Sequence, residues 1–284
     1  MTPAFRTYDF CLDGAASPLV FASPHSGRAY PADFLQTLAC DVADIRAIED
    51  GWIDRAAVEA ARALRSPLVA AHWGRAYLDL NRAPDELDPL LIESAPARPQ
   101  SDRIRAGLGI LPRLAHKGRP IRRGKMPLAA ARARIEAVHA PYHSEISRLL
   151  GRARQRHGWA VLVDCHSMPS LTPHGGPAAE VVLGDRHGTS AAKALVERAG
   201  EALGRAYRVR QNMPYAGGFT TMHHADPAEG IHAIQVEFDR ALYLDPLTLL
   251  PNEGFAGIAA ALSGLGEALL NADVTVESLP LAAE

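Results

Sequence analysis

Three side chains of this 284-residue chain stand where apolar runs break into chemically capable groups: His25, His166 and Glu237. His25 sits in Ser23-Pro-His-Ser-Gly27, where Pro24 and Gly27 force a turn after an apolar stretch. His166 closes Val161-Leu-Val-Asp-Cys-His-Ser167, a run that reads as a buried strand ending in polar groups. Two histidines from two strand ends, joined by one carboxylate, form the donor set of catalytic zinc and leave a fourth position for water. Asp50 and Glu49 are both candidates for that carboxylate. Read singly, each histidine is more simply a satisfied structural residue, and it is the shared placement at strand termini that favours ligation. Glu237 interrupts Ile234-Gln-Val-Glu-Phe238, as an exposed alternating position or as a general base.

Other groups have weaker cases. Cys165 adjoins His166, but neighbours on a strand point to opposite faces and cannot pair as nucleophile and base, so it reads as a buried thiol. His139 and His143 are spaced to share a helix face, yet no Glu lies between them as in HExxH, and Pro141 disturbs that turn. His223 and His224 follow the glycine-rich 215–220 segment and read as loop residues, His223 being a candidate substrate contact. Arg82, after Asn81, is a bidentate clamp for a carboxylate or a structural ion pair.

The elements that must position these groups follow from periodicity. Strands are predicted over 19–22, 68–71, 76–80, 159–163, 180–183, 206–209 and 231–238. Helices are predicted from Asp41, a fair N-cap, through Val42, Ile45, Ile48, Trp52, Ala56, Ala60 and Leu64, and over 128–150, 191–203 and 247–270, with Pro141 bending or interrupting the second. Residues 84–127 are rich in Pro, Gly and basic side chains, among them Arg98, Arg103, Arg113, Arg119 and Lys125, and read as a solvated insertion. Alternating strands and helices imply an α/β chain, one domain over 1–284. Its mostly parallel or mixed sheet is covered on both faces as a three-layer sandwich.

Composition narrows the partners. Thirty basic against 32 acidic residues leave a net charge of −2, which gives no reason to expect nucleic acid or an anionic membrane. No run of about 18 apolar residues suggests a spanning helix. Charges between Met1 and Asp13 stand where a signal peptide needs an apolar core, so a cytoplasmic protein is expected. Cys11, Cys40 and Cys165 are scattered and odd in number, hence reduced thiols rather than a disulfide framework or thiolate site.

Taken together, Ser23-Pro-His-Ser-Gly-Arg28, Glu49-Asp-Gly-Trp-Ile-Asp54, Asp79-Leu-Asn-Arg82, Val163-Asp-Cys-His-Ser-Met-Pro169 and Gln235-Val-Glu-Phe238 resemble the N-formylglutamate amidohydrolase family. The ordered set spans residues 20 to 245, and the family is similar in turn to zinc carboxypeptidases and N-acyl amino acid deacylases. The resemblance implies a zinc carboxypeptidase-like fold with one zinc held by His25, His166 and Asp50, Glu49 being the fallback. It implies Glu237 as general base and Asn81-Arg82 as receptor of a substrate carboxylate, with Arg28 a further candidate contact. Asp164 is then a support that orients a ligand. One departure stands out: carboxypeptidases take two ligands from His-x-x-Glu, whereas Arg28 occupies the third position after His25. The activity implied is zinc-dependent hydrolysis of N-formyl-L-glutamate to formate and L-glutamate in histidine degradation, on a small substrate with one or two carboxylates. The basic residues at 103 to 123 are candidates for the second of these. A deacylase of another N-acyl amino acid, or a non-catalytic metal- or anion-binding domain, is the competing expectation.

Overall fold

The computed structural model describes residues 3–11, 17–96, 99–172 and 177–272. Arg98 of the basic run, like Met1 and Asp13, lies outside the described residues. Three buried runs form the heart of the sheet, β2 (Leu19–Ser23), β6 (Ala160–Met168) and β9 (Ile231–Asp239), the last half-buried only at its two ends. They run parallel, in the order β2, β6, β9, and near-continuous apolar sequence is what strands covered on both faces require. Outside β2 lies parallel β3 (Leu68–Ala71), then antiparallel β1 (Phe5–Tyr8). Beyond β9 come β7 (Val181–Gly184), antiparallel to it, and β8 (Val209–Gln211), which completes a seven-stranded mixed sheet.

Side-chain alternation divides the core between two faces. Phe21, Val163, Cys165, Val236 and Phe238 meet α3 (Ile53–Ala63), α6 (Lys193–Gly204) and α8 (Phe255–Leu270) on one side. Val20, Ala22, Leu162 and Ala233 meet the 30-residue α5 (Leu128–His157) on the other. The result is the expected three-layer α/β sandwich. Two shorter helices, α1 (Ala32–Gln36) and α2 (Val42–Arg46), lie between β2 and α3.

Several boundaries differ from expectation, for physical reasons. The predicted 42–64 helix begins at an Asp41 capping box but splits, and α2 and α3 are separated by a turn ending at Trp52 in the left-handed region (φ 68°). Residues 76–80 form turns rather than a strand, with the Asp79 amide donating to the Ile110 carbonyl, and β1 takes the sheet edge instead. β6 runs on past Val163 to Met168 because β9 pairs with it residue for residue throughout. The 84–127 insertion is not merely solvated loop. It contains the parallel ribbon of β4 (Ile92–Glu93) and β5 (Met126–Pro127) and the short α4 (Asp102–Arg105). Leu91, Ile92, Ile110, Leu111 and Met126 anchor it in the α5-side core. α5 itself continues through Pro141, because Ile135, Val138, Tyr142, Ile146 and Leu149 are buried on both sides of it. Packing over that length outweighs a local cost of about 3 kcal/mol for an interior proline. Residues 219–224, read as loop, form α7 (Phe219–His224), and the last helix starts at Phe255 rather than at 247.

Candidate active site

The carboxyl ends of β2 and β6 bring the two histidines together. His25 follows β2 by two residues and His166 lies within β6, on the α5 side of the sheet; their rings are 4.7 Å apart. Asp50 comes from the turn between α2 and α3, whose backbone is tied to the histidine loop by the Asp50 amide donating to the His25 carbonyl at 3.0 Å. Asp50 Oδ2 is 3.0 Å from His166 Nδ1 and 3.4 Å from His25 Nδ1, and ligand atoms of all three buried residues lie within 4.8 Å of one another. The helix split that sequence periodicity missed is therefore what delivers the carboxylate. Glu49 is turned elsewhere, accepting from the Tyr30 hydroxyl at 2.6 Å and from Arg46. Burial pushes it up to about 7, against those bonds.

The outer nitrogens are held by carboxylates. His25 Nε2 donates to Asp79 Oδ1 at 2.6 Å, and Arg75 secures the other oxygen of Asp79 at 2.7 Å. With its proton on Nε2, His25 presents the Nδ1 lone pair to the cluster, the arrangement that orients histidine ligands in metal centres. Asp164 Oδ2 lies 3.0 Å from His166 Nε2, but neither oxygen of this fully buried carboxylate has a formed hydrogen bond. A buried carboxylate so poorly satisfied demands positive charge close by. The demand shows at His166: burial opposes its charged form, yet Asp164, Asp50 and Glu237 outweigh burial and hold its pKa well above the ordinary value. Burial likewise opposes ionisation of Asp50, but the bond from His166, the proximity of His25 and the Arg240 charge hold it well below the usual carboxylate range. Two imidazole Nδ1 atoms facing one ionised carboxylate, with Asp79 and Asp164 behind the rings, fit a divalent cation.

Glu237 stands directly across from His166 in the β6–β9 register, on the same face of the sheet. Gln235 Nε2 donates to its Oε1 at 3.0 Å. Burial pushes Glu237 up to about 7, His166 opposing and the Asp50 charge adding to it, so its affinity for a proton suits acid–base work near neutrality. Glu237, His25 and Asp50 line a cavity of about 220 Å³ together with Arg75, Arg82, Arg103, Arg240 and Tyr215. A larger hollow of about 760 Å³ lies among prolines of the insertion, away from this cluster.

Asn81 also lines the cavity and is immobilised from several sides. Its amide donates to Asp79 Oδ1 at 2.9 Å, its Oδ1 accepts from the Thr220 amide at 2.8 Å, and its Nδ2 lies 3.2 Å from His166 Nε2. Gly218 permits this approach, since a Cβ there would sit 2.3 Å from Asn81 Oδ1. Arg82 donates from Nε to the Leu108 carbonyl at 3.0 Å and from a terminal nitrogen to the Asn81 carbonyl at 2.8 Å. His139 and His143 stand apart from the His25-Asp50-His166 cluster. They point from α5 to the same segment, donating to the Arg82 carbonyl at 2.9 Å and the Leu80 carbonyl at 2.8 Å. His143 Nδ1 then accepts from His224 Nε2 at 2.9 Å.

Two proposed substrate contacts are not brought to the cavity. Arg28 forms a bidentate pair with Asp54 at 3.0 and 3.2 Å and lies over the Trp52 ring, where that charge partner and aromatic face hold it. His223 is exposed on α7, stacked on Phe219 with ring centres 4.8 Å apart, outside the cavity lining. Sequence reasoning missed Arg240, which donates to Asp50 Oδ1 at 2.7 Å and to Ser167 at 3.1 Å, and also Arg75 and Tyr215. An arginine three residues after Glu237 was the available signal for Arg240.

Such a fold and site define a mixed α/β protein with a buried His-Asp-His cluster, compatible with a metal ion, at the carboxyl ends of its central strands. Residues 17–244 match the model of the N-formylglutamate amidohydrolase family. The chain is 32% identical over 237 residues to N-formylglutamate deformylase of Pseudomonas putida, covering 80% of this chain and 82% of that one. It is 34% identical over 236 residues to the deformylase of Pseudomonas aeruginosa, with the same coverage. The crystal structure of N-formylglutamate amidohydrolase from Ralstonia eutropha JMP134 superposes with a TM-score of 0.85 at 32% identity, covering 94% of this chain and 96% of that one. The chain belongs to the N-formylglutamate amidohydrolase family.

Proposed function

We propose that this protein hydrolyses the amide bond of N-formyl-L-glutamate, releasing formate and L-glutamate, with one zinc ion held by His25, Asp50 and His166. The observation that carries the reading is the apposition of Glu237 to His166 across the β6–β9 pair, beside a His-Asp-His cluster and within an arginine-lined cavity. The names of the relatives supply the substrate. A zinc ion bound there supplies a Lewis acid for the formyl oxygen and lowers the pKa of water from about 15.7 towards about 7. Glu237 takes a proton from the attacking water and returns it to the departing amine nitrogen. The water oxygen ends in formate as the C–N bond breaks. Asn81 and Arg82 receive a substrate carboxylate, a guanidinium being matched to that anion. A cavity of about 220 Å³ suits a small amino-acid derivative, being below the roughly 300–1,000 Å³ of drug-sized sites.

The chain acts as one catalytic unit over 1–284, with 84–127 as an insertion beside the site. A cytoplasmic place in histidine degradation belongs to this reading. No helix among the described residues is long and apolar enough to cross a membrane. The test is release of glutamate and formate from N-formyl-L-glutamate by the zinc-loaded protein, compared with N-formimino, N-acetyl and N-succinyl amino acids and with chelator-treated protein. Turnover of the formyl substrate that disappears with the chelator is expected. No release by the zinc-loaded protein overturns the reading, and faster turnover of another acyl group reassigns the substrate.

A further inference from the structure

Of the arginines around the cavity, two are already neutralised. Arg75 is bound to Asp79 at 2.7 Å and Arg240 to Asp50 at 2.7 Å. Arg82 is buried, donates to two carbonyls and has Asp79 4.0 Å away. Arg103 differs from all three. It lines the same cavity from α4, is exposed, and has no carboxylate partner among the described residues. Other basic residues of the insertion are engaged away from the cavity: Arg113 with Asp88, Arg119 with Asp44, Arg105 with Asp102 and Lys125 with the Pro89 carbonyl.

Arg103 is also placed relative to Arg82. The Leu108 amide donates to the Arg103 carbonyl at 2.8 Å, while the Leu108 carbonyl accepts from Arg82 Nε at 3.0 Å, so one turn of chain couples the two. Burial is the main influence disfavouring the cationic form of Arg82, Asp79 opposes it, and the Arg103 charge is close enough to add to it. Two guanidiniums facing one small cavity repel each other unless an anion lies between or beside them. A substrate with two carboxylates supplies two such anions, one for the buried Arg82 and one for the cation at the rim.

We infer that Arg103 is the specificity-determining residue that receives the second, side-chain carboxylate of the substrate. This rests on the proposed N-formylglutamate reading and extends it: the enzyme selects acidic over neutral N-formyl amino acids through a residue of the insertion. Arg103 acts on binding, not on the proton transfers of Glu237. N-formyl-L-glutamine is the discriminating probe, since it matches N-formyl-L-glutamate in shape but lacks the side-chain charge.

The experiment compares kcat/KM for these two substrates in the wild type, Arg103→Leu and Arg103→Lys. The glutamate-to-glutamine preference is expected to fall about 10- to 100-fold in Arg103→Leu, the range for a charged hydrogen bond, and to be partly retained in Arg103→Lys. A preference unchanged in Arg103→Leu overturns the inference. Calorimetric binding of L-glutamate and L-glutamine to the same proteins provides a second arm that needs no turnover. Selective weakening of glutamate binding in Arg103→Leu supports the inference, and equal affinities in wild type and variant overturn it. Because this arm reads the subsite directly, its failure is separate from a failure of the formyl substrate to be hydrolysed.

Discussion

In the proposed reaction, Glu237 concentrates the proton transfers at one carboxylate. It is buried in an apolar strand, opposite His166, with one oxygen accepting from Gln235 and a proton affinity raised to about 7. Glutamine at this position preserves shape but can neither take up nor return a proton. Glu237→Gln is therefore expected to retain bound zinc while turnover falls about 10²- to 10⁴-fold, the usual range for a general base. Zinc content by elemental analysis and kcat by glutamate release check this; near-normal kcat removes Glu237 from the mechanism. His25, His166 and Glu237 were legible in the sequence because each is a polar residue bounding or breaking an apolar run. The preference for Asp50 over Glu49 rests on the family motif alone, since local sequence leaves adjacent acids equivalent until Tyr30 and Arg46 engage one of them.

At the scale of elements, α5 and α7 build a support behind the Asn81-Arg82 segment. Their histidines His139, His143 and His224 are all buried. Burial, aided by the neighbouring histidines, depresses His143 to about 2 and His224 to about 3. Both therefore stay neutral in the folded protein across the acidic range, while in the unfolded chain they take up protons below about 6.5. The unfolded state binds more protons in that window, so stability rises with pH between about 3 and 6.5 and is lost as pH falls through it. His143→Phe is expected to flatten this pH dependence of Tm. At neutral pH it should also lower stability by about 1–3 kcal/mol, because the Leu80 carbonyl and His224 Nε2 lose their partner. Thermal melts from pH 4 to 8 check both, and an unchanged slope would refute the neutral-histidine account. The i, i+4 spacing of His139 and His143 correctly put them on one helix face. Their targets were hidden because backbone carbonyls some 60 residues away leave no mark in local sequence.

For the whole molecule, the site is where β2, β6, β9, the α2–α3 turn and the segment after β3 meet, and it gathers Asp50, Asp79, Asp164 and Glu237 into one buried region. Their mutual repulsion opposes folding, and Arg75, Arg82, Arg240 and a charged His166 offset it, the last in a place that a bound cation would take over. A cation bound between the histidines should therefore stabilise the fold as well as activate it. Zinc at a hundredfold excess over its Kd corresponds to about 2.7 kcal/mol of stabilisation. Removing it with a chelator is expected to lower Tm by several degrees, with recovery on readdition. Identical melts with and without zinc would count against a single tight site. The three-layer sandwich with its mixed sheet was readable at this scale because buried parallel strands need long apolar runs, and β2, β6 and β9 have them. The edge strand β1, the turns at 76–80 and the split between α2 and α3 were not, because pairing partners and left-handed turns depend on what packs alongside. By itself, then, the chain's order of residues determined the layers, the strand-borne histidines, the opposed glutamate and the family motifs, all of which are written in local polarity and spacing. Only the tertiary structure decided that Asp50 faces both histidines, that Arg28 and His223 are held elsewhere, and that Arg103 lines the cavity with no carboxylate partner among the described residues. Those outcomes turn on distances between segments remote in sequence, where burial and charge pairing choose among chemically equivalent candidates.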